Sequence, residues 1–141
     1  MLSTLIENGY GEAEDFNCAE KILYGANKVY HLELTCESLR TASGFGGGMA
    51  IGSICGALTA AIMVLGVLFV KDRAHESDTI QRLTQELFAS YQKEMSSINC
   101  AVLKELYRTE DLKCRFVITR AAAALDAVIV TEQKRQQQLT T

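Results

Sequence analysis

The sequence predicts an all-α protein: a single-domain bundle of five to seven helices around a central apolar helix. Proline is absent from the 141 residues, and apolar residues recur at helical spacing in several segments. The composition, 48% apolar and 22% charged, is that of a globular chain, and the length fits one domain. We expect the domain to occupy residues 1–132, followed by a polar tail over residues 133–141.

The first predicted helix covers residues 14–30. Its apolar face is formed by Ala19, Ile22, Leu23, Ala26, Val29 and Tyr30. Asp15 or Asn17 is suited to cap its start, and Cys18 then falls in the first turn. A short helix over residues 34–42 should follow and stop at Gly44, because glycine commonly ends helices.

A glycine-rich segment precedes the predicted central helix. Five glycines fall between positions 44 and 52, a composition that disfavours both helix and strand and suits a loop that packs closely against Cys55. Ser53 can then cap a helix from Ile54 to Phe69, which carries Cys55 near its start. Because this helix is apolar on all sides, we expect it to lie buried at the centre of the bundle.

The same region raises the question of a membrane span, since residues 41–70 carry no charge. Only residues 60–70 are strongly apolar, which is too short to cross a bilayer, and the flanks lack an aromatic belt. The N-terminus has no basic segment followed by a long apolar one, so a secretory signal is not indicated. We therefore expect a soluble, cytoplasmic protein without a membrane partner.

Three helices are predicted in the second half of the chain. Ser77 or Asp78 should open a helix that ends near Met95. A short helix over residues 100–107 follows, and Asp111 is expected to start the last helix. The apolar stripe of that last helix contains Cys114, Val117, Ile118, Ala121, Leu125 and Val128. The polar tail beyond it is expected to fray.

Several classes of function find no support in these residues. The net charge is −3 and no basic patch is present, so nucleic acid is not an expected partner. The glycine-rich segment lacks the preceding strand and the nearby lysine of a nucleotide-binding loop. A His-Glu-x-x-His motif and a serine nucleophile elbow are also absent from the sequence.

Cysteine is the residue type that indicates chemistry. The chain has five: Cys18, Cys36, Cys55, Cys100 and Cys114. No two of them form a Cys-x-x-Cys pair, so neither a zinc ribbon nor a thioredoxin-type motif is present. Cys18 and Cys55 each fall in the first turn of a predicted helix, where backbone N–H groups and the helix dipole stabilise a thiolate. The alternative for any one of them is a small, packed core residue.

Cys55 is expected to be the most thiolate-like of the five. Carboxylates at positions 14, 15 and 20 surround Cys18 in the sequence and should raise its pKa, whereas none lies near Cys55. Burial would act against this expectation, because desolvation disfavours a thiolate.

Taken together, these features resemble one family, the small redox-active proteins named for the cysteine pattern C_GCAxxG_C_C. The resemblance spans nearly the whole chain, and the order and spacing of four cysteines agree. The matching pieces are Asn17-Cys18-Ala19, Gly44-Phe45-Gly46-Gly47-Gly48, Cys55-Gly56-Ala57-Leu58-Thr59, Cys100 and Cys114. The resemblance implies that these four cysteines are the functional set and that Cys36 is an extra. One position departs, because the family motif ends in glycine where this chain has Ala60, and the additional methyl group could narrow the site.

The leading hypothesis is thiol redox chemistry by an oxidoreductase. Cys55 would be the nucleophile and Cys18 its resolving partner, with exchange through a mixed disulfide. Cys100 and Cys114 could form a second pair. The partner would then be a redox protein or a thiol substrate.

Two alternatives stay open on sequence grounds. The same four cysteines could ligate zinc or an iron–sulfur cluster, or they could be incidental thiols of a structural helical protein. Both chemical hypotheses require the four to lie close together, although they span positions 18 to 114. We also expect a homo-oligomer, most simply a homodimer, since a long apolar helix in a small bundle leaves apolar surface to cover.

Overall fold

The computed structural model describes residues 1–140, which form seven α-helices and no β-strand, so the all-α prediction is confirmed. The helices are α1 (Leu2–Glu7), α2 (Cys18–Val29), α3 (Cys36–Arg40), α4 (Gly56–Phe69), α5 (Thr79–Met95), α6 (Cys100–Tyr107) and α7 (Arg115–Thr140). Short helical turns at Ser43–Phe45 and Ala74–Glu76 and a glycine-rich turn at Gly48–Gly52 connect them.

Helix α4 is the central helix, as its uniformly apolar sequence predicts. It packs against α2, α5 and α7. Leu58, Val64 and Leu65 of α4 are completely buried. Ala26 on α2 and Ala60 on α4 are also completely buried, and small side chains allow two helices to approach closely. None of the helices in residues 1–140 combines the length and the apolar character that crossing a bilayer requires.

Helix α2 begins at Cys18, later than predicted, because Asn17 and not Asp15 caps it. The Asn17 side-chain oxygen accepts a hydrogen bond from the Glu20 N–H at 2.9 Å, and the Glu20 carboxylate accepts one from the Asn17 N–H at 2.9 Å. This reciprocal capping box fixes the start of the helix and therefore puts Cys18 at its first position.

Helix α4 also begins later than predicted. It starts at Gly56 with Cys55 as its N-cap residue, rather than at Ile54 with Ser53 as the cap. The reason is a long-range contact: Ile54 pairs with Asn99 in an isolated antiparallel bridge, which keeps the chain extended up to the helix.

The C-terminus of α3 and the N-terminus of α7 also differ from the prediction by a few residues. Helix α3 stops at Arg40, before Gly44 is reached. Helix α7 begins at Arg115 rather than at Asp111, because residues 109–113 close a small loop with two backbone hydrogen bonds between Thr109 and Lys113. Cys114 therefore precedes α7 instead of lying within its apolar stripe.

The polar C-terminal segment is helical in the structure. Residues 133–140 continue α7 to Thr140 with exposed side chains. The last residue of the predicted tail, Thr141, lies outside the described residues.

Helix α1 is held to the bundle by a buried carboxylate. Asp126 on α7 accepts hydrogen bonds from the Leu2 N–H at 3.2 Å and the Ser3 N–H at 2.9 Å. It also accepts one from the Tyr30 hydroxyl group. A negative charge at a helix N-terminus is favourable, so this contact ties the first helix to the last.

Candidate functional site

The starts of four helices converge on one cavity of about 250 Å³, and each brings a cysteine to it. Cys18 is the first residue of α2, Cys55 is the N-cap of α4, and Cys100 is the first residue of α6. Cys114 directly precedes α7. Cys36 also begins a helix, but it is exposed and does not line the cavity. The structure thus brings together the four cysteines that the sequence singled out and leaves the fifth apart.

The four thiols lie at two depths. Cys55 and Cys100, the inner pair, are only 4% and 7% exposed. Cys18 and Cys114, the outer pair, are half-buried. A molecule that enters the cavity from solvent therefore meets the outer pair first.

Backbone hydrogen bonds join the starts of α4 and α6. The Cys100 N–H donates to the Ser53 carbonyl at 2.6 Å, and the Cys55 N–H donates to the Ile98 carbonyl at 2.8 Å. Because both bonds involve the backbone of a cysteine, they hold the inner pair side by side. No local pattern in the sequence indicates this pairing, since the two segments are far apart along the chain.

Two glycines allow the cysteine backbones and side chains to come this close. A Cβ atom at Gly48 would lie 2.7 Å from Cys100 Cβ, and one at Gly56 would lie 2.7 Å from Cys18 Sγ. Real Cβ atoms do not approach other atoms so closely, so larger residues would displace the thiols. The expected close packing of the glycine-rich segment against the cysteine site is therefore found, with Cys100 as the neighbour of Gly48.

The glycine-rich segment also contains a left-handed turn. Residues 47–50 all have φ between 61° and 65°, although Met49 and Ala50 are not glycines. Such a conformation costs on the order of 1 kcal/mol or more for each residue with a side chain. The turn is closed by a hydrogen bond from the Ser53 N–H to the Gly48 carbonyl at 3.0 Å. Its first residue, Gly47, lines the cavity and donates its N–H towards the sulfur of Cys18.

Burial dominates the electrostatics of Cys55. Together with a smaller contribution from neighbouring Cys18, it raises the pKa of the Cys55 thiol to about 12. Hydrogen bonds from the backbone N–H groups of Ala57 and Leu58 lower the pKa, but by less. The prediction that Cys55 is the most thiolate-like cysteine is therefore wrong for the reduced protein, because desolvation outweighs the helix N-terminus.

A different balance of effects determines the pKa of the Cys18 thiol. Burial again raises the pKa of its thiol, but hydrogen bonds from the N–H groups of Gly47 and Ala19 oppose that effect. Cys100 and Cys114 raise the pKa as well. Cys18 also raises the pKa of Cys55, so Cys18 interacts electrostatically with each of the other three cavity cysteines.

Charged side chains also surround the cavity, although no motif in the sequence connects them with the cysteines. Lys21 forms an ion pair with Glu12 at 2.9 Å, and Arg115 approaches the same carboxylate at 3.4 Å. The hydrogen bond from Lys21 holds the pKa of Glu12 below its usual value. Three further cations line the cavity and form no ion pair with any residue in 1–140: Lys104, Arg108 and Lys113.

The arrangement does not fit a metal centre. Across residues 1–140, no three His, Cys, Asp or Glu side chains lie close enough together to hold a metal ion. His31 and His75 are exposed and do not line the cavity. Zinc and iron–sulfur clusters need about four ligand atoms around one centre, whereas these cysteines share a cavity without converging on a point.

Ala60, where the family pattern has glycine, lies away from the cavity. It is completely buried among the helices and is not one of the lining residues. Its methyl group therefore fills space in the helix packing and does not narrow the cysteine site.

The comparisons with known proteins agree with the cysteine geometry. Residues 16–128 match the sequence model of a family described as "Putative redox-active protein (C_GCAxxG_C_C)". That range includes all four cavity cysteines and both glycines that pack against them. No curated protein and no solved structure matches the chain. Because the match covers well over half of its length, the chain belongs to this C_GCAxxG_C_C family.

Proposed function

We propose that the protein is a thiol–disulfide oxidoreductase in which Cys18 is the attacking thiol and Cys55 resolves the mixed disulfide. The observation that carries the proposal is the shared cavity, in which Cys18 interacts with each of the other three cysteines. A dithiol that can be oxidised needs a second thiol near the first, and the other three cavity cysteines are the candidates for this partner.

The choice of Cys18 over Cys55 follows from access and ionisation. Cys18 is half-buried at the outer level of the cavity, and two backbone N–H groups favour its thiolate. Cys55 is almost completely buried, with a pKa of about 12, so at neutral pH it is almost entirely protonated and poorly suited to attack an entering disulfide first. The roles expected from the sequence are therefore exchanged in this proposal.

The exchange proceeds in two balanced steps. The Cys18 thiolate attacks one sulfur of a disulfide RSSR, so that a Cys18–S–SR bond forms and RS⁻ leaves and takes up a proton. Cys55 then loses its proton and attacks the Cys18 sulfur, which releases the second RS⁻ as a thiol. Two electrons pass from the protein dithiol to the substrate, which becomes two thiols.

Proximity explains how a thiol with a high pKa can serve in the second step. The Cys18 sulfur lies against Gly56, the residue directly after Cys55. A resolving thiol held beside its target reacts as if at a very high local concentration, which offsets a small thiolate fraction. Cys100 and Cys114 supply a second dithiol in the same cavity, to which the disulfide can pass.

The test compares two variants that differ only at position 55. In one, Cys36, Cys100 and Cys114 are replaced by serine, so that Cys18 and Cys55 remain. In the other, Cys55→Ser is added. After reaction with 2-hydroxyethyl disulfide, the first should lose two hydrogens without a lasting adduct, whereas the second should keep a mixed disulfide on Cys18. Intact-mass spectrometry distinguishes the two products.

Equal accumulation of adduct in both variants would contradict the resolving role of Cys55. If the multiple substitutions prevent folding, the same reagent is used on the unsubstituted chain with rapid acid quenching. Peptide mapping should then find the first adduct on Cys18, and a first adduct on Cys55 or Cys100 would overturn the assignment.

A further inference from the structure

We propose that the substrate of this site is a small disulfide with negatively charged ends, such as a compound that carries carboxylates on either side of its S–S bond. The inference rests on the proposed thiol–disulfide exchange and specifies the class of molecule that enters the cavity. It follows from the charge around the cavity, from the apolar character of part of its wall, and from its size.

The charge around the cavity is opposite in sign to that of the whole chain. The lining has four cations, Lys21, Lys104, Arg108 and Lys113, against two carboxylates, Glu12 and Asp15, so positive charges exceed negative ones by two. The complete chain has a net charge of −3. Since Lys21 is paired with Glu12, three cations face one remaining carboxylate. Charges of one sign that line a cleft concentrate the electric field there and attract ions of the opposite sign.

The position of these charges suits a molecule with charged ends and an apolar middle. Lys104, Arg108 and Lys113 are exposed. Leu103, Val117 and Ile118 line the same cavity and are buried, as are the inner thiols. A CH₂–S–S–CH₂ unit could therefore lie against the apolar wall near the thiols while its terminal carboxylates remain beside the cations.

The volume favours a small molecule over a protein disulfide. The cavity holds about 250 Å³. Typical small-molecule sites enclose about 300–1,000 Å³, so this one accepts a compact compound or one half of a longer one. A disulfide inside a folded protein would have to carry its backbone into the same space, and the half-buried position of Cys18 disfavours that approach.

The test compares three disulfides of similar size on the reduced, unsubstituted chain: 3,3′-dithiodipropionate (anionic), 2-hydroxyethyl disulfide (neutral) and cystamine (cationic). The oxidation rate of the cavity thiols is measured by mass spectrometry and divided by the rate of the same reagent with a free small thiol. We expect the normalised rate to be about tenfold higher for the anionic than for the neutral compound, and lowest for cystamine. High salt should reduce these differences, because ions screen the attraction.

A matched pair of variants assigns the preference to the cavity. Lys104→Gln with Arg108→Gln should lower the normalised rate of the anionic compound by about fivefold and leave the neutral one unchanged. Lys93→Gln with Lys134→Gln removes the same charge from exposed positions outside the cavity and should change neither rate. If the Lys104 and Arg108 substitutions impair folding, the effect of salt on the normalised rates of the unsubstituted chain tests the inference by itself.

The outcomes separate this inference from the proposed function. Equal normalised rates for all three compounds would overturn the anionic preference and leave the thiol exchange standing. Failure of every compound to oxidise the cavity thiols would overturn both. A preference for cystamine would contradict the role given to the cations.

Discussion

At the start of α4, the sulfur of Cys55 accepts hydrogen bonds from two backbone N–H groups, and its thiol still has a pKa of about 12. The helix N-terminus acts as the sequence suggests, but only 4% of the residue is exposed, and the loss of solvation is larger. The position of a residue in a helix can be predicted from the residues near it in the sequence. Its burial depends on α6 and the glycine-rich turn, which the local sequence does not describe.

This difference predicts the pH dependence of alkylation in the reduced, folded protein. With a pKa of about 12, roughly one Cys55 thiol in a thousand is ionised at pH 9, so iodoacetamide should modify exposed Cys36 at least about tenfold faster. The rate at Cys55 should keep rising beyond pH 10. A plateau of the Cys55 rate near pH 9 in the folded chain would contradict the assignment.

The urea-unfolded chain is the control for this measurement, because both thiols should react at similar rates there.

The raised pKa of Cys55 also affects the stability of the fold. The pKa of Cys55 is higher in the folded state than in the unfolded state, so the unfolded chain releases this proton first as pH rises. Its contribution to the free energy of unfolding is therefore complete below about pH 8.5 and declines as pH approaches 12.

At the scale of single elements, α4 contains two glycines with opposite surroundings. A Cβ atom at Gly56 would lie 2.5 Å from the Phe45 carbonyl oxygen and 2.7 Å from Cys18 Sγ, whereas one at Gly66 would meet nothing within 4 Å. Both residues are helical. From the sequence alone, both glycines are expected to destabilise the helix to the same extent. Only their packing in the folded protein distinguishes them.

Alanine substitutions should therefore have opposite effects. Gly66→Ala should raise the free energy of unfolding by up to about 1 kcal/mol, because alanine is the better helix former. Gly56→Ala should lower it by about 1–3 kcal/mol, since a backbone carbonyl has to move, and should also displace Cys18. Urea denaturation measures both. Equal stabilisation by the two substitutions would show that α2 and the Phe45 turn do not pack against α4 as described.

The boundaries of the elements show where prediction from sequence succeeds. Helical periodicity located α2 and α5, and the Asn17 capping signal lies in four consecutive residues. The starts of α4 and α7 were missed by a few residues. At α4 the cause is a bridge to the distant Asn99, and no residue close to Ile54 in the sequence reveals it.

For the whole molecule, the cysteine pattern indicated which residues belong together, and the fold explains how they meet. Four helices of different length each begin with, or directly after, one of these cysteines at a single cavity. The cysteine pattern does not reveal how deeply each thiol is buried, the order in which the thiols can react, or which cations surround them. Those properties arise from tertiary packing, and they reverse the roles that helix position alone had suggested for Cys18 and Cys55.

Disulfide mapping of the full chain tests the central claim most directly. The reduced protein, at low concentration, is oxidised with a limiting amount of diamide and digested, and the linked peptides are identified by mass spectrometry. The account predicts that the first bond formed joins Cys18 to Cys55 within one chain, while exposed Cys36 remains a thiol. A product in which Cys36 links two chains and Cys18 and Cys55 both remain reduced would contradict it.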